Sequence, residues 1–284
     1  MELSLYLGKV QFNIISPFDI PLREMEIQFN VPVFSTEKKI AVVVEETEII
    51  DTFEGILIRK DRNSEIRMED GREYRYYLDG LYRKCYAESL EDDNRLVIRY
   101  SLSSKMRENI NFSIINLIQA EKFLLRTGGM VLHCAYIRYN QDAILFTAPS
   151  GTGKSTQASL WETNRNGVTV INGDKALLQK EDDYWYAGGF PLHGTAKECL
   201  NEKTKLKAIV IVRQAKKDEV VELTAAQKIK LLFSEITVNM WSSEAVEQVL
   251  NLIERLVSSV TVIQLNCTMN QSAVETLEQY LYGE

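Results

Sequence analysis

The stretch of sequence that decides the fold is Ala148-Pro149-Ser150-Gly151-Thr152-Gly153-Lys154-Ser155-Thr156. It follows the apolar run 143–147, which is typical of a buried strand, and residues 155–163 are compatible with the start of a helix. A glycine-rich segment between a strand and a helix is the context in which phosphate-binding loops occur. The sequence therefore predicts a phosphate-binding loop at residues 148–156.

Each residue type in this loop has a physical reason. Gly151 and Gly153 can adopt backbone angles that other residues avoid, so the N–H groups of the loop can point toward one anion. The first turn of the following helix adds unsatisfied N–H groups and the positive end of the helix dipole. We expect Lys154 to reach the β and γ phosphates of a nucleotide and Ser155 to offer its hydroxyl to Mg²⁺. The predicted nucleotide contacts are Ser150, Gly151, Thr152, Gly153, Lys154, Ser155 and Thr156.

One position departs from the common pattern G-x-x-x-x-G-K-[ST]. Ala148 stands where that pattern has its first Gly. Alanine is the smallest change available, and it costs little where φ is negative. The alternative, a glycine-rich turn without a ligand, is disfavoured because strand, loop, Lys-Ser and helix follow one another in the required order.

Composition and charge narrow the class of protein. The chain has 284 residues, of which 45% are hydrophobic, so it can form one large or two modest domains. The formal net charge of −7 disfavours nucleic acid or an anionic membrane as the main partner. The sequence has neither the ~20-residue apolar run of a membrane span nor a signal-peptide pattern, and we expect a soluble, cytoplasmic protein. The four cysteines are scattered and are expected to be buried rather than paired or zinc-bound.

A local excess of basic residues lies between residues 197 and 217. It could guide an anionic substrate toward the loop, but a solvated charged face is the favoured interpretation. The basic residues are Lys197, Lys203, Lys205, Lys207, Arg213, Lys216 and Lys217.

The two parts of the chain differ in pattern. Residues 1–105 are predicted to form a mostly β, antiparallel lobe, with hairpin turns at Asp70-Gly71 and Asp79-Gly80. Its predicted strands lie at residues 10–14, 40–44, 55–58, 75–78 and 95–100.

Residues 106–284 are predicted to form an α/β (α+β) core with a mixed sheet and flanking helices. A helix over 110–125 is expected to end at Gly128-Gly129, and Thr224 and Ser243 mark the starts of later helices. A last helix is expected to contain Val274, Leu277 and Leu281. The predicted strands lie at residues 130–137, 143–147, 168–171, 176–179, 184–187, 208–212 and 260–265.

Two polar residues follow the predicted strands toward the loop. His133 lies on the strand before the loop strand, and an antiparallel hairpin would bring it near the loop. There it could orient a substrate, hold a proton or touch a metal, whereas a hydrogen-bonded strand histidine is the structural alternative. Asp174 follows the strand 168–171, where a carboxylate could hold Mg²⁺ or accept the proton of a hydroxyl. A turn-forming aspartate is the alternative for Asp174.

Two further candidates are weaker. His193 lies in the Gly-rich segment 188–195, which could cover a substrate. Arg213 ends the predicted strand 208–212, where its guanidinium could stabilise a transferred phosphoryl group or could simply be an exposed strand terminus.

The second half of the chain resembles the HPr kinase/phosphorylase family and, more distantly, the ATP-dependent phosphoenolpyruvate carboxykinases. The resemblance covers residues 110–284 and implies their P-loop kinase core. It also implies that Lys154 contacts phosphate, that Ser155 contacts Mg²⁺, that Asp174 is a metal ligand or general base, and that His133 lies at the active site. It rests on Leu132-His133-Cys134-Ala135, Ser150-Gly151-Thr152-Gly153-Lys154-Ser155 and Ile171-Asn172-Gly173-Asp174.

The chain also departs from these families. Where they have two adjacent aspartates, this sequence has Asp174 followed by Lys175, so either Asp174 serves both roles or another carboxylate contributes. The signature for gripping HPr and the Arg-rich oxaloacetate site are both missing. The substitution pattern is most similar to HPr-kinase-like proteins encoded beside enzymes that modify ribosomally made peptides, some of which phosphorylate a Ser of a precursor peptide.

Together these observations predict an ATP- and Mg²⁺-dependent kinase that acts on a hydroxyl, with a Ser of a peptide or protein as the expected acceptor. The lobe at residues 1–105 would recognise the substrate. A kinase for a small molecule and a non-catalytic nucleotide-binding regulatory module are the alternatives. The resemblance also allows a homo-oligomer.

Overall fold

The computed structural model describes residues 1–20, 22, 24–31, 38–50, 53–78, 84–92, 95–101, 110–192 and 198–283. The chain divides into two compact units, Met1–Phe123 and Leu124–Glu284. The first unit is rich in β-structure, and the second combines a mixed sheet with helices. The predicted fold class, a mixed α/β chain with an N-terminal β-rich lobe and flanking helices, is confirmed.

The first unit is built on an eight-stranded sheet in the order β1-β2-β3-β8-β7-β6-β5-β4. Its β2–β3 and β3–β8 pairings are parallel, so the expectation of an antiparallel lobe is wrong at these two places. The strands are β1 (Glu2–Leu7), β2 (Val10–Ile15), β3 (Lys38–Thr47), β4 (Ile56–Lys60), β5 (Ser64–Glu69), β6 (Arg72–Leu78), β7 (Cys85–Asp92) and β8 (Arg95–Ser101).

Turns and short helices complete this unit. Asp70 and Gly71 have φ of 48° and 76° and join β5 to β6, which confirms the predicted hairpin turn. The second predicted turn, Asp79-Gly80, lies outside the described residues. A short helix, α1, spans Glu24–Ile27. The helix predicted over 110–125 is two helices, α2 (Ile110–Leu117) and α3 (Ala120–Leu125), because Gln119 has a φ of 52° and interrupts the helical backbone.

The second unit contains the predicted strands and helices. Its strands are β9 (Gly129–Tyr139), β10 (Asp142–Thr147), β11 (Thr169–Asn172), β12 (Lys175–Glu181), β13 (Tyr184–Gly188), β14 (Lys203–Gln214), β15 (Glu219–Glu222) and β16 (Thr261–Cys267). Its helices are α4 (Lys154–Asn164), α5 (Ala225–Glu235), α6 (Ser243–Val257) and α7 (Gln271–Tyr282). Strand β15 was not predicted; it is short, with two valines between glutamates.

The sheet of the second unit is mixed. It follows the order β10-β9-β12-β13-β14-β16-β15, and β11 pairs with β9. Strands β10, β14 and β16 are parallel, whereas the other pairings of this sheet are antiparallel. Because β10 also pairs with β14, the strands β10, β9, β12, β13 and β14 close a ring. The carboxyl ends of β10 and β14 therefore lie at one edge of the sheet, next to the loop at residues 148–153.

Two apolar layers cover the parallel strands. Leu145 and Ile209 pack with residues of α5 and α6, while Phe146 and Val210 pack with residues of α4 and α7. Since successive residues of a strand point to opposite faces, β10 is buried on both sides, which explains its continuous apolar run. The layers fix the loop between a buried strand and a packed helix, of which Trp161 is fully buried.

The starts of two helices agree with their capping residues. Thr224 caps α5 through a capping box with Gln227, as predicted. Helix α6 begins at Ser243, also as predicted, and Ser242 is its cap. All four cysteines lie in described parts of the chain and are buried as expected, and none of them forms a disulfide. Among the helices that the structure describes, none has both the length and the apolar composition to cross a bilayer.

Candidate active site

The loop at residues 148–153 connects β10 to α4 in the predicted order. Gly151 and Gly153 have φ of 78° and 116°, the region that favours glycine, and Gly153 is the N-cap of α4. A Cβ added at either glycine would meet no atom within 4 Å, so these positions need glycine for the backbone conformation and not for space. The first turn of α4 therefore begins inside a curled loop. The N–H groups of this turn have no partner within the helix.

Ala148, the departure from the common pattern, is buried at the end of β10. It is not one of the described residues with positive φ, and its methyl group packs in the apolar layer beneath α4. An alanine at this position is therefore compatible with the loop conformation.

The difference in backbone conformation between Gly153 and Ala148 gives a first prediction. Gly153→Ala should lower nucleotide affinity by about tenfold, because a side chain in the left-handed region costs about 1–2 kcal/mol and shifts the loop. Ala148→Gly should leave the affinity within about threefold, since its φ makes no demand for glycine. Calorimetric titration of both variants with ATP and Mg²⁺ measures this. Equal affinities for the two variants would contradict the assigned backbone role of Gly153.

Lys154 is held inside the loop. Its side chain is buried, with 7% of the residue exposed, and its Nζ donates a hydrogen bond to the Ala148 carbonyl oxygen at 2.8 Å. Burial lowers the pKa of Lys154, while the charges of Glu235 and Asp174 act in the opposite direction. The ammonium group is thus placed at the loop with two carboxylates nearby.

His133 lies in the middle of β9, beside the end of β10 from which the loop starts, as the hairpin predicts. Cys134 pairs with Thr147 across β9 and β10, and the Thr147 hydroxyl donates to the His133 carbonyl oxygen at 2.8 Å. The ring of His133 lies between two carboxylates. Its Nε2 is 3.5 Å from Asp174 Oδ1, and its Nδ1 is 3.2 Å from Glu235 Oε2.

Asp174 is fixed by a turn built on Asn172. The buried Asn172 Oδ1 accepts hydrogen bonds from the N–H groups of Asp174 and Lys175, at 2.8 and 2.9 Å. The second oxygen of the Asp174 carboxylate, Oδ2, accepts from Lys175 Nζ at 2.8 Å. The hydrogen bond from His133 holds the pKa of Asp174 well below its usual range, against the effect of burial and together with the Lys175 ammonium. Asp174 is therefore a carboxylate at neutral pH.

Sequence reasoning missed three acidic residues near the loop: Glu162 and Glu198 line the cavity described below, and Glu235 contacts His133. Glu235 is the one that touches a predicted residue. It ends α5, its side chain is 10% exposed, and its carboxylate meets His133 from the side opposite Asp174. No motif marks it. The available signal was an acidic residue at the C-terminal end of an amphipathic helix, where basic residues are favoured.

A cavity of about 430 Å³ joins most of the predicted residues. Ser150, Gly151, Gly153, Lys154, Ser155 and Thr156 line it, together with His133 and Asp174. Thr152 is not among its lining residues; the Thr152 carbonyl oxygen accepts a hydrogen bond from Gln214 Nε2 at 3.2 Å.

The other candidates are not in this lining. Arg213 is exposed at the end of β14, and His193 lies outside the described residues. Lys203, Lys205 and Lys207 each lie over a tyrosine ring, in keeping with a solvated face, and Lys197 is also outside the described residues.

The oxygen donors of the cavity are compatible with Mg²⁺. Ser155 and Asp174 both line it, and Mg²⁺ in nucleotide sites takes one or two protein oxygens and completes its shell with phosphates and water. Among the described residues, no group of three or more His, Cys, Asp or Glu side chains is arranged to hold a metal alone. The cavity thus has the donors for a metal that arrives with a nucleotide.

The fold and site define an α/β unit with a glycine loop between strand and helix and a histidine held between two carboxylates. Residues 102–282 match the family described as "SynChlorMet cassette protein ScmC", and the chain belongs to this family. No curated protein matches the chain at a significant level.

Solved structures also match the chain. One is the "Structure of the Hpr(Ser) kinase/phosphatase from Coxiella burnetii", which is 13% identical with a TM-score of 0.26. The match covers 33% of this chain and 64% of that chain, less than two thirds of its length.

Proposed function

We propose that the protein is an ATP- and Mg²⁺-dependent phosphotransferase that transfers the γ-phosphoryl group to a hydroxyl, namely a Ser of a peptide or protein. The observation that carries the proposal is the shared cavity: the glycine loop, Lys154, His133 and Asp174 all line it. A phosphate cradle and an ionised carboxylate are the two parts that phosphoryl transfer requires from a protein.

Each residue has a stated role in this proposal. The N–H groups of the loop and the Lys154 ammonium would bind the phosphates, and Ser155 and Asp174 would hold Mg²⁺, which neutralises charge on the β and γ phosphates when bound. The acceptor hydroxyl would be oriented by Asp174. Because a carboxylate with a depressed pKa is a weak base, positioning and charge are its main contributions, and it would take the hydroxyl proton as the new O–P bond forms. His133 would hold this carboxylate in place.

The acceptor class rests on the resemblance to HPr-kinase-like proteins of peptide-modifying gene clusters. The family description, a cassette protein, directs the search for an acceptor to peptides encoded beside this chain. The β-rich first unit is the proposed substrate-recognition element.

Incubation of the full chain with ATP, Mg²⁺ and the neighbouring peptides tests the proposal. We expect a peptide that is heavier by one phosphoryl group, with the modified Ser located by fragmentation. A small-molecule acceptor from the same gene neighbourhood is the parallel arm. ATP binding without any phosphorylated product in either arm would contradict phosphotransfer.

Lys175 favours a second candidate function, a nucleotide-binding regulatory module without catalysis. Its ammonium contacts Asp174 Oδ2 at 2.8 Å, where it competes with Mg²⁺ for the carboxylate. This function predicts tight ATP binding that is insensitive to Mg²⁺, together with no phosphorylated product. The same incubation and a titration with and without Mg²⁺ separate the two functions.

A further inference from the structure

Glu235 lies where a carboxylate is unfavourable for folding alone. It ends α5, and the negative end of the helix dipole disfavours an acidic side chain there. Its side chain is also 10% exposed, and burial of a charge is costly unless the charge is paired. Two neighbouring groups compensate for this cost. His133 Nδ1 lies 3.2 Å from the Glu235 carboxylate, and the Glu235 charge attracts the Lys154 ammonium. Glu235 is therefore stabilised by two residues that line the cavity, His133 and Lys154, although it does not line the cavity itself.

The backbone after Glu235 is anchored on the strand that carries His133. Ile236 forms a β-bridge with Leu132, and the Thr237 N–H donates to the Val131 carbonyl oxygen at 2.9 Å. Ile236 and Leu132 are both buried in the apolar layer beneath α5. The contact between Glu235 and His133 thus joins two segments that are fixed to each other.

We propose that Glu235 is a positioning residue of the phosphotransfer site, which acts through its contact with His133. An ionised carboxylate only accepts hydrogen bonds, so Nδ1 donates to Glu235, and Nε2 faces Asp174 as the second donor of the ring. This contact fixes the orientation of the His133 ring and directs Nε2 at Asp174 Oδ1. The inference rests on the proposed function, because it assigns Glu235 a place in that reaction.

The chain of contacts explains how Glu235 can act without touching the substrate. It runs from Glu235 through His133 to Asp174 and ends at Lys175, with distances of 3.2, 3.5 and 2.8 Å. Asp174 has one oxygen toward His133 and the other toward Lys175, so the orientation of its carboxylate depends on the ring. Without Glu235, the ring could rotate and Asp174 would lose its fixed partner.

Variants of Glu235 test this role through kinetics. In Glu235→Ala we expect kcat for phosphotransfer to fall about 10- to 100-fold, the usual cost of removing a supporting partner, with KM for ATP within about threefold. Glu235→Gln keeps the shape and one acceptor oxygen and should recover most of the lost kcat. Glu247→Ala, an exposed position on α6, is the matched control and should behave like the wild type. A wild-type kcat in Glu235→Ala would overturn the proposal.

A double-mutant cycle separates positioning from general damage. If Glu235 acts through His133, then Glu235→Ala in a His133→Asn background should lower kcat less than about twofold further. An undiminished effect in that background would show that Glu235 does not act through the ring, and the proposal would be wrong.

A measurement without turnover makes the two proposals distinguishable. The chain has two histidines, so ¹⁵N spectra resolve the His133 ring, with a His193→Gln variant for assignment. We expect an Nδ1–H signal in the wild type and its loss in Glu235→Ala. An unchanged ring spectrum would overturn the role of Glu235 even in an active enzyme. If the wild type transfers no phosphoryl group but the spectrum changes as expected, the proposed function fails while the contact that positions His133 stands.

Discussion

Asp174→Asn is expected to lower the rate of phosphotransfer by about 10²- to 10⁴-fold, the range lost with a positioned acid–base group. The affinity for ATP should stay within about threefold, because the loop and Lys154 hold the phosphates independently of this side chain. The amide keeps the shape of the carboxylate and can still accept a hydrogen bond from His133. It removes the negative charge, and its NH₂ group cannot accept from Lys175. The variant therefore separates charge from shape.

Single-turnover kinetics and calorimetric titration with ATP measure the two quantities for Asp174→Asn. Asp183→Asn, on the exposed turn between β12 and β13, is the matched control and should show wild-type values. A wild-type transfer rate in Asp174→Asn would exclude the carboxylate from the reaction. A loss of ATP affinity equal to the loss of rate would instead indicate damage to the loop.

The pH dependence of Asp174 has a defined sign. Its pKa is depressed in the folded state, first by the hydrogen bond from His133, so its contribution to stability is present above the unfolded value of 3.8. That contribution is lost as the pH falls through the lower folded-state pKa. Protonation of Asp174 therefore does not limit activity at pH 5 or above, and an acid limb in that range must report another group.

The local parts of the site could be predicted from the sequence. The loop follows from an apolar run, two glycines and Lys-Ser, which are neighbours in the chain. His133 was placed correctly because β9 and β10 are joined by a tight turn, in which Asn140 and Gln141 have φ of 49° and 65°. Residues joined by short connections lie close together in the fold. One motif and one hairpin were therefore sufficient to predict that His133 lies near the loop.

The non-local parts could not be predicted. Glu235 reaches His133 across 102 residues, through a bridge between Leu132 and Ile236 that no periodicity encodes. The parallel pairings of β3 were missed for the same reason, since the alternation of a strand is the same whichever direction its neighbour runs. Arg213 was placed correctly at the end of a strand, but pattern alone does not decide whether such a side chain faces the cavity or solvent.

The position of the missing second aspartate shows what the structure adds to the sequence. The sequence alone shows Lys175 where the resemblance implies a second aspartate, and it does not say whether Asp174 serves both roles or another carboxylate contributes. In the structure the Lys175 ammonium neutralises Asp174, and Glu235 enters from α5 on the other side of His133. Among the described residues, Asp174 and Glu235 contact the ring, Lys175 and Lys154 supply ammonium groups beside them, and Glu162 and Glu198 also line the cavity.

Lys154→Met should lower the affinity for ATP by about 30-fold or more. Truncating one partner of a buried charged group costs about 2–5 kcal/mol, and about 2 kcal/mol is roughly 30-fold in affinity. Lys154 has 7% exposure, and the charges of Glu235 and Asp174 lie close to its ammonium group. Without that ammonium, the negative charges of Asp174 and Glu235 would act on the incoming phosphates with one cation fewer nearby, so repulsion adds to the lost contact.

The control and the ligand series make this result specific. Lys230→Met, exposed on α5, removes the same charge outside the cavity and should bind ATP like the wild type. The loss in Lys154→Met should be larger for ATP than for AMP, because Lys154 is assigned to the β and γ phosphates and AMP has neither. Equal losses for ATP and AMP would place the lysine away from those phosphates. If Lys154→Met bound ATP within threefold of the wild type, the loop would not be the nucleotide-binding site. The proposed phosphotransfer would then also be wrong.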